Sequence, residues 1–357
     1  MKVGLRSSSR ILVVVLAACG AATPPPQSEG ASSGSLPADS PSPAGPSTAS
    51  ASDSGSEAPA TPELLAGIRA FDAGNFAEAR KQFEAASQKS PNDPTVQYNL
   101  GLACEKAGDH AAAESAYKAA LARKPDLEAA VEELGALYID QGRSADAVAL
   151  LRPAVVKHPA NGALHENLGV ALAANGDVPT ARQELEAAAK ITPSEPMVHL
   201  TLAHWLTAWR APGATAELDT ARDLAKNNLG LIASVGYEYR MAGAFDACIK
   251  TFDRAAEIKD GGEVRTERAL CKLGVKDDKG ARDDLQAAVL KEPSYGPAHY
   301  YLAGRLAVER NFAGASAEYS KYLEIEPNGS LVKAAKERLK ASNEAMSQEK
   351  GSGSKKK

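Results

Sequence analysis

The chain has 357 residues and a formal net charge of −4 at pH 7, with aromatic residues at 5% and hydrophobic residues at 44%. A negative net charge without a clustered Lys/Arg footprint argues against broad nucleic-acid binding. The four cysteines show no CxxC spacing, so no metal or redox motif is evident. A hydrophobic content that depends largely on alanine favours closely packed helices, because alanine has the highest helix propensity.

The first 18 residues have the pattern of a signal peptide. Lys2, Arg6 and Arg10 give a positive start, and residues 11–18 form an unbroken apolar run. A run of this length is too short to span a membrane as a helix, which takes about 20 residues. It suits the apolar region of a signal peptide, so we expect residues 1–18 to direct export and to be removed.

The segment ends in Leu16-Ala17-Ala18-Cys19-Gly20, which resembles the lipobox of bacterial lipoproteins. The resemblance implies that Cys19 is acylated, and two or more acyl chains give stable membrane anchoring. The alternative is an ordinary secretory signal cut near Ala18, with Cys19 left as a free thiol. Gly20 stands where aspartate would retain many Gram-negative lipoproteins, so the resemblance implies the outer membrane, facing the periplasm.

Residues 19–60 connect this cysteine to the rest of the chain. From residue 21 onward they are mainly Pro, Ser, Ala, Gly and Thr, and Leu36 is an exception among them. Such a stretch cannot bury enough apolar surface to offset its ordering entropy. We predict a disordered tether of about 40 residues with a mean reach of roughly 35 Å. Its charges are all acidic, at Glu29, Asp39, Asp53 and Glu57.

A ladder of small residues then recurs every 33 or 34 residues. Its rungs are Ala79, Ala113, Ala147, Ala181, Ala214, Cys248, Ala281 and Ala315. A large residue follows four positions later each time, at Phe83, Tyr117, Leu151, Leu185, Leu218, Phe252, Leu285 and Tyr319. Proline closes most periods, at Pro91, Pro125, Pro159, Pro193, Pro293 and Pro327. In-phase ladders at one period indicate a repeat protein.

Each period predicts two helices joined by a short turn. The small and large rungs, four residues apart, lie on one helical face, where small side chains let a partner helix approach closely. Proline ends the second helix, because it cannot continue one. Glycines mark the turn between the helices, since glycine accepts the left-handed conformation that ends a helix. They are Gly74, Gly108, Gly142, Gly176 and Gly243.

This pattern resembles the tetratricopeptide repeat (TPR) family in eight units over residues 61–329. The resemblance implies an all-α fold, a right-handed superhelical solenoid of antiparallel helix pairs with a concave groove lined mainly by the first helices. Two units depart from the pattern. The fifth has Trp209-Arg210-Ala211-Pro212-Gly213 in place of the glycine turn, and the seventh has a charged first helix at residues 263–268.

The end of the chain predicts a capping helix over residues 330–348. Leu331, Ala335 and Leu339 fall on one side of it, and four cationic residues lie elsewhere. The end of a repeat array exposes an apolar face, which a helix with a polar back covers. We expect residues 349–357 to be disordered.

No catalytic constellation is evident, so we expect no enzymatic activity, no cofactor and no metal site. His165, His199 and His299 occupy equivalent places near the start of a first helix, and we interpret them as packing residues. His199 and His204 are five residues apart and do not share a helix face well enough to form a metal-binding pair.

The cysteines after Cys19 leave two interpretations open. Cys248 replaces alanine at a buried rung, Cys271 lies in the following unit, and Cys104 lies on the inner side of a first helix. We favour buried free thiols. The alternative is a Cys248–Cys271 disulfide formed in an oxidising envelope.

By the resemblance, the groove takes an extended peptide or a helix of a partner protein. The first-helix positions expected to face it are Tyr98, Asn99, Leu102, Glu105, Glu132, Ala136, Asn167, Val170, His204, Tyr237, Arg240 and Tyr300. Each of them alone is also explained as a solvated or half-packed residue. Trp205 is expected in the core, and Trp209, beside the Pro-Gly turn, is a further contact candidate.

The leading functional hypothesis is a lipid-anchored scaffold for other proteins of the bacterial cell envelope. It needs no nucleic acid and no small-molecule substrate, and it meets the membrane only through the lipid on Cys19. A narrower alternative is a pilotin-like factor that helps a secretin, or a pilus or secretion machine, to assemble. An enzyme or a nucleic-acid-binding repeat protein is less favoured. If the array has a specialised surface, we expect it between Trp205 and Leu273, where the pattern weakens.

Overall fold

The computed structural model describes residues 61–354, with side chains through residue 349. This part of the chain contains seventeen helices and no strand, and the all-α fold is confirmed. The helices are α1 Pro62–Asp72, α2 Phe76–Lys89, α3 Pro94–Lys106, α4 His110–Arg123, α5 Glu128–Asp140, α6 Ser144–Lys157, α7 Gly162–Ala174, α8 Val178–Ile191, α9 Pro196–Ala208, α10 Ala214–Leu224, α11 Leu229–Met241, α12 Phe245–Ile258, α13 Gly262–Gly274, α14 Asp278–Lys291, α15 Gly296–Val308, α16 Phe312–Ile325 and α17 Val332–Ser354. The signal-like segment, Cys19 and the tether lie outside the described residues.

The chain divides into two compact units, whose described parts are residues 61–205 and 206–354. In the first unit, α1–α2, α3–α4, α5–α6 and α7–α8 pack as helix pairs, and α2, α4 and α6 each also contact the first helix of the next pair. In the second unit the pairs are α11–α12, α13–α14 and α15–α16, and α17 packs on α16. Each unit is therefore a stack of helix pairs in chain order.

Local signals in the sequence set the ends of these helices. Asn75 and Asp109 cap second helices, where their side-chain oxygens accept from backbone N–H groups three residues on at 3.2 and 3.1 Å. A side-chain cap satisfies N–H groups that have no partner inside the helix. At the other end, α2 stops at Lys89, two residues before Pro91. The same spacing holds for the other second helices that are followed by a ladder proline, as predicted.

The turn between the two helices of a pair places one residue in the left-handed conformation. The five glycines expected there have φ between 70° and 85°. Three other pairs place a cation at this position: Arg210 (φ 52°), Lys276 (φ 63°) and Arg310 (φ 61°). The sequence did not predict these three, because a residue with a Cβ is disfavoured there.

Gly142→Ala should lower the free energy of unfolding by about 1 kcal/mol. A Cβ at Gly142 would meet no heavy atom within 4 Å, so the cost comes from the backbone conformation alone. Lys276→Gly should leave stability unchanged or raise it slightly, because it relaxes the same conformation. Urea denaturation followed by circular dichroism measures both. Equal destabilisation by the two substitutions would contradict this account.

In several pairs, the large rung of the second helix packs on a glycine of the first helix. A Cβ at Gly236 would lie 2.6 Å from the Phe252 ring, and one at Gly135 would lie 2.8 Å from Leu151. Phe252 and Leu151 are both almost fully buried. The glycine therefore allows the close helix contact on which the core of each pair depends.

The charged first helix of the seventh pair has charged partners. Asp284 on α14 is 4% exposed and accepts from Arg268 Nε at 2.9 Å and from Lys272 Nζ at 2.7 Å. Arg268 Nη1 also donates to Asp253 Oδ1 of α12 at 2.9 Å. Burial opposes ionisation of Asp284, but the hydrogen bonds from Arg268 and Lys272 outweigh it and lower the pKa of its carboxyl. A buried network thus links α13 to α12 and α14.

Asp284→Asn should lower the free energy of unfolding by about 2 kcal/mol at neutral pH, because it removes the buried carboxylate that pairs with Arg268 and Lys272. The stabilisation from a lowered carboxyl pKa is fully present above the unfolded value of about 3.9 and is lost as pH falls through the folded value. The difference between wild type and variant should therefore shrink below about pH 4. Urea titrations at a series of pH values measure it, and a difference independent of pH would contradict the account.

Cys248 on α12 and Cys271 on α13 form a disulfide, and Cys104 is a buried free thiol whose pKa is raised by burial. The favoured interpretation of free thiols is thus wrong for the pair and right for Cys104. The pairing follows from packing, because a second-helix rung faces the first helix of the next pair, and the two Cα atoms lie 5.9 Å apart.

The last helix differs from the expectation at both ends. It begins at Val332 and continues to Ser354, beyond the residue 348 expected from the sequence. The backbone N–H of Leu331 donates to Tyr322 Oη at 3.2 Å, just before the helix starts. Arg310 Nη2 lies 2.9 Å from Glu349 Oε1, so an ion pair holds the helix past the expected end.

Candidate partner-binding surface on the first helices

The first unit places the predicted groove residues on the first helices of successive pairs. Tyr98, Asn99, Leu102 and Glu105 lie on α3, and their equivalents follow on α5, α7 and α9 at the repeat spacing. The equivalents are Glu132 and Ala136, Asn167 and Val170, and His204. All of these residues are less than a tenth exposed. These side chains are therefore packed into the helix layer and do not project from it into solvent.

Polar contacts connect the first helices of consecutive pairs. Asn167 Nδ2 on α7 donates to the backbone oxygen of Glu132 on α5 at 3.1 Å. Asn161, the N-cap of α7, donates to Glu132 Oε1 at 2.7 Å. Thr201 Oγ1 on α9 donates to Glu166 Oε1 on α7 at 2.8 Å. These bonds tie neighbouring repeats together along the predicted surface.

Sequence reasoning missed Asn161, Glu166 and Thr201 as members of this surface. Glu166 follows Glu132 by one repeat, and Thr201 follows Asn167 by one repeat. The repeat register, applied to polar residues as well as to the apolar ladder, would have found both. Asn161 precedes its helix and carries no such signal.

Glu105 has a second role inside its own pair. Tyr117 Oη on α4 donates to Glu105 Oε2 at 2.7 Å, and the Tyr117 ring lies 6.1 Å from that of Tyr98. Glu105 as a whole residue is 7% exposed. Glu105 therefore holds the two helices of the second pair together from its place on the predicted surface.

The second unit brings Tyr237 and Arg240 together on α11. The Arg240 guanidinium lies 4.9 Å from the Tyr237 ring centroid and 3.3 Å from Glu267 Oε2 of α13. Tyr301 on α15 lies near the same groups. Burial and the Glu267 carboxylate raise the pKa of its hydroxyl, and the Arg240 charge acts in the opposite direction. Tyr237 and Arg240 are half-buried, so they are the more accessible of the predicted residues.

Tyr300, the predicted residue of the last repeat, packs in an aromatic cluster. This residue is 1% exposed and lies in a core with Tyr319, Tyr322 and Ala335. The Arg338 guanidinium of α17 lies 5.3 Å from its ring centroid. The last helix thus packs against Tyr300, a contact that the register alone does not reveal.

The two tryptophans separate as expected. Trp205 is 9% exposed, and its ring makes an edge contact with His204 at 5.7 Å. Trp209 is half-buried in the turn after α9. Trp205 is a core residue, which confirms its assignment, and Trp209 stays a contact candidate.

The equivalent histidines have structural partners. His165 Nδ1 lies 2.6 Å from Glu184 Oε2, and its Nε2 lies 3.2 Å from the carbonyl of Pro159. His299 repeats this arrangement with Glu318 and Pro293, at 2.6 and 3.0 Å. The imidazole joins the two helices of its pair to the end of the preceding second helix, so the packing interpretation is confirmed for these two residues.

Residues 61–349 contain no group of three or more His, Cys, Asp and Glu side chains placed to hold a metal ion. In the same part of the chain, no helix is long and apolar enough to cross a membrane.

Comparison with known families identifies repeats in the first half of the chain. Residues 64–128 and 133–196 match a family described as tetratricopeptide repeat, and a second family of that description matches residues 105–159. These matches run from α1 into α9. The chain therefore contains tetratricopeptide repeats over residues 64–196, where the resemblance placed them.

The chain is also similar to individual proteins. The chain is 38% identical over 129 residues to "Cellulose synthase operon protein C" of Xanthomonas axonopodis pv. citri (strain 306), a match covering 34% of this chain. The chain spans 9% of the length of that curated relative. Among solved structures, yeast Tom70 has a TM-score of 0.51 at 14% identity, covering 81% of this chain and 64% of Tom70. A tetratricopeptide repeat protein of Parabacteroides merdae ATCC 43184 has a TM-score of 0.48 at 16% identity, with 70% and 98% covered.

Proposed function

We propose that this array of tetratricopeptide repeats is a scaffold held at the bacterial cell envelope by a lipid on Cys19, where it gathers partner proteins along its first helices. The observation that carries the proposal is the order of features along the chain. A signal-like run and the lipobox-like Leu16–Gly20 come first, the acidic tether follows, and the stacked helix pairs come last.

The disulfide supports export. Disulfides form and persist in oxidising compartments, such as the periplasm, and are rare in the cytosol. Cys248 and Cys271 join two helix pairs in the interior of the second unit, where both are fully buried. A chain that folds with this bond is suited to the envelope.

The first-helix surface supports protein binding. In the first unit it offers amide, hydroxyl and carboxylate groups on the successive first helices α3, α5, α7 and α9. In the second unit, taken by itself, α11 presents an aromatic residue beside a guanidinium. An extended peptide or an amphipathic helix can pair with such a regular surface through its own repeating side chains. We propose a protein segment of this kind as the ligand.

Anchoring is tested by fractionation of the intact protein and of Cys19→Ala. Wild type should incorporate labelled fatty acid and sediment with membranes, and Cys19→Ala should do neither. Cys104→Ala serves as the control, because Cys104 is buried in the folded array. A wild-type protein without fatty acid, recovered wholly in the soluble fraction, would sink the anchoring proposal.

Partner binding is tested by crosslinking in cells followed by purification. Wild type should recover a defined set of envelope proteins, and the double variant Tyr237→Ala/Arg240→Ala should recover fewer of them. Lys250→Ala on α12 is the matched control, since Lys250 is exposed on a second helix. Equal recovery by all three proteins would exclude α11 as a contact surface, and no envelope protein with wild type would refute the scaffold.

The proteins recovered in the same purification distinguish two narrower versions of the scaffold proposal. A pilotin-like role requires a secretin among the recovered proteins and a loss of secretin multimers on deletion. The name of the Xanthomonas relative motivates the other version, in which the partners belong to a cellulose synthesis apparatus. Normal secretin multimers after deletion would exclude the first version, and absence of any such synthase component would exclude the second.

A further inference from the structure

The disulfide of the second unit touches both helices that carry its accessible surface residues. Cys248 Sγ lies 3.2 Å from the carbonyl oxygen of Gly236, the residue before Tyr237 on α11. Cys271 Sγ lies 3.1 Å from the carbonyl oxygen of Glu267, about one helical turn earlier on α13. Both cysteines are fully buried. The bond therefore lies beneath the surface and in contact with the backbone of α11 and of α13.

Tyr237, Arg240 and Glu267 form one arrangement across these two helices, which we call the α11–α13 contact. The Arg240 guanidinium lies 4.9 Å from the Tyr237 ring centroid, and its Nη2 lies 3.3 Å from Glu267 Oε2. A hydrogen bond or close ion pair weakens steeply beyond its normal distance. If α13 moved away from α11 by about 2 Å, the pair would separate and Arg240 could leave the ring.

Apolar packing holds α11 and α13 less firmly than it holds other first helices. Each of the two has five buried residues among its thirteen, whereas α7 has eleven among thirteen. Much of the remaining contact of α13 with its neighbours is charged, through the network around Asp284. Regions with few buried apolar contacts open and shift more readily. A crosslink at this junction therefore supplies a constraint on position that packing supplies elsewhere.

The crosslink is specific to the junction between the sixth and seventh pairs. The other seven repeats carry alanine at the rung that Cys248 occupies. A small rung at this place is thus sufficient for the helix pair to form, and the cysteine adds a bond to the next first helix. The bond also lies between Trp205 and Leu273, where the sequence placed a specialised surface.

We propose that the Cys248–Cys271 bond positions the α11–α13 contact, so that the chain presents this contact to a protein partner only when the bond is formed. The proposal rests on the proposed function, in which α11 contacts partner proteins. The bond forms by exchange with another disulfide. The two thiols give up two protons and two electrons as the sulfurs join, and the other disulfide becomes a dithiol.

Reduction by a dithiol reverses the exchange and returns two thiols to the interior. Their S–H groups can donate to the carbonyl oxygens of Gly236 and Glu267, which the sulfurs already face. We therefore expect the reduced chain to stay folded in the absence of denaturant. What it loses is the fixed distance between α11 and α13, and with it the α11–α13 contact.

The first test needs no partner. Arg240→Ala, Glu267→Ala and their combination are compared by urea unfolding in the oxidised chain, and again in a chain with Cys248→Ala/Cys271→Ala. In the oxidised chain the combined effect should differ from the product of the single effects roughly fivefold in the unfolding constant, as for residues in contact. Without the crosslink the effects should multiply. Coupling of the same size in both chains overturns the proposal.

The second test is recovery of partner proteins by crosslinking in cells. Cys248→Ala/Cys271→Ala should recover roughly tenfold less of the proteins that Tyr237→Ala/Arg240→Ala loses. Combining the two pairs of substitutions should lower recovery no further, because both remove the same contact. Thermal melting of each purified variant verifies that it is folded. A combined variant that falls well below either pair would show that the bond acts elsewhere, against the proposal.

The matched control for stability is Leu285→Val. Leu285 is fully buried on α14, which packs on α13 and α15, so the substitution weakens the same unit and leaves the crosslink in place. Recovery should stay at the wild-type level. A loss equal to that of the cysteine variant would assign the effect to stability alone and overturn the proposal. If wild type itself recovers no envelope protein, the scaffold is refuted, and the unfolding experiment still decides the positioning by itself.

Discussion

Replacing both Cys248 and Cys271 by alanine should lower the free energy of unfolding of the second unit by about 3 kcal/mol. The disulfide closes a loop with a sequence separation of 23 residues, and chain entropy assigns a loss of this size to the unfolded chain when the crosslink is removed. Alanine is the residue that the other seven repeats carry at the Cys248 position, so that substitution should disturb packing little. Denaturation by urea, followed by circular dichroism, measures the loss.

The control for this prediction is the response to a reductant. Wild type should lose about the same stability in a reductant as the double variant loses by substitution. The double variant should not respond to the reductant at all. A wild-type protein whose unfolding is unaffected by reduction would show that the bond contributes nothing to the stack.

Tyr117→Ala should have the largest effect, a loss of about 4 kcal/mol. Tyr117 is fully buried, packs directly on Gly101, and donates a hydrogen bond to Glu105. Truncation removes a whole ring from the interface of α3 and α4, and the glycine cannot fill the cavity.

Two milder substitutions at the same position separate ring from hydroxyl. Tyr117→Phe should cost about 1 kcal/mol, because it removes a single donor from a buried carboxylate. Tyr117→Leu should fall between the two, since Leu151 fills the equivalent place over Gly135 in the next repeat. Equal losses for Phe and Ala would assign the stability to the hydroxyl and contradict the packing account.

The sequence by itself determined the period, the helix pairs and their turns. Small rungs, large rungs and closing prolines are local signals, because they act within one helix or between its nearest neighbours. They led to the helix pairs, the turn glycines such as Gly142 and the ends of the second helices. Their repetition also fixed which residues share a register, and hence which first-helix residues belong to one surface.

Only the tertiary structure decided which of those residues meet. The Cys248–Cys271 bond depends on how one pair packs against the next, which register alone does not specify. The cluster around Tyr300 includes Ala335 of the last helix, a contact that the repeat register does not specify. The hydrogen bonds of Thr201 and Asp284 likewise need the distances between neighbouring helices.

The turns of the second unit show the same division. The sequence contains Met241, Val275 and Val308, but their exposure follows from which side of each helix the neighbouring pair covers. Lys276 and Arg310 occupy a left-handed position that sequence rules assign to glycine. A local rule predicts the residue with the lowest conformational free energy at a position. The packed array imposes the left-handed conformation even where that residue is absent.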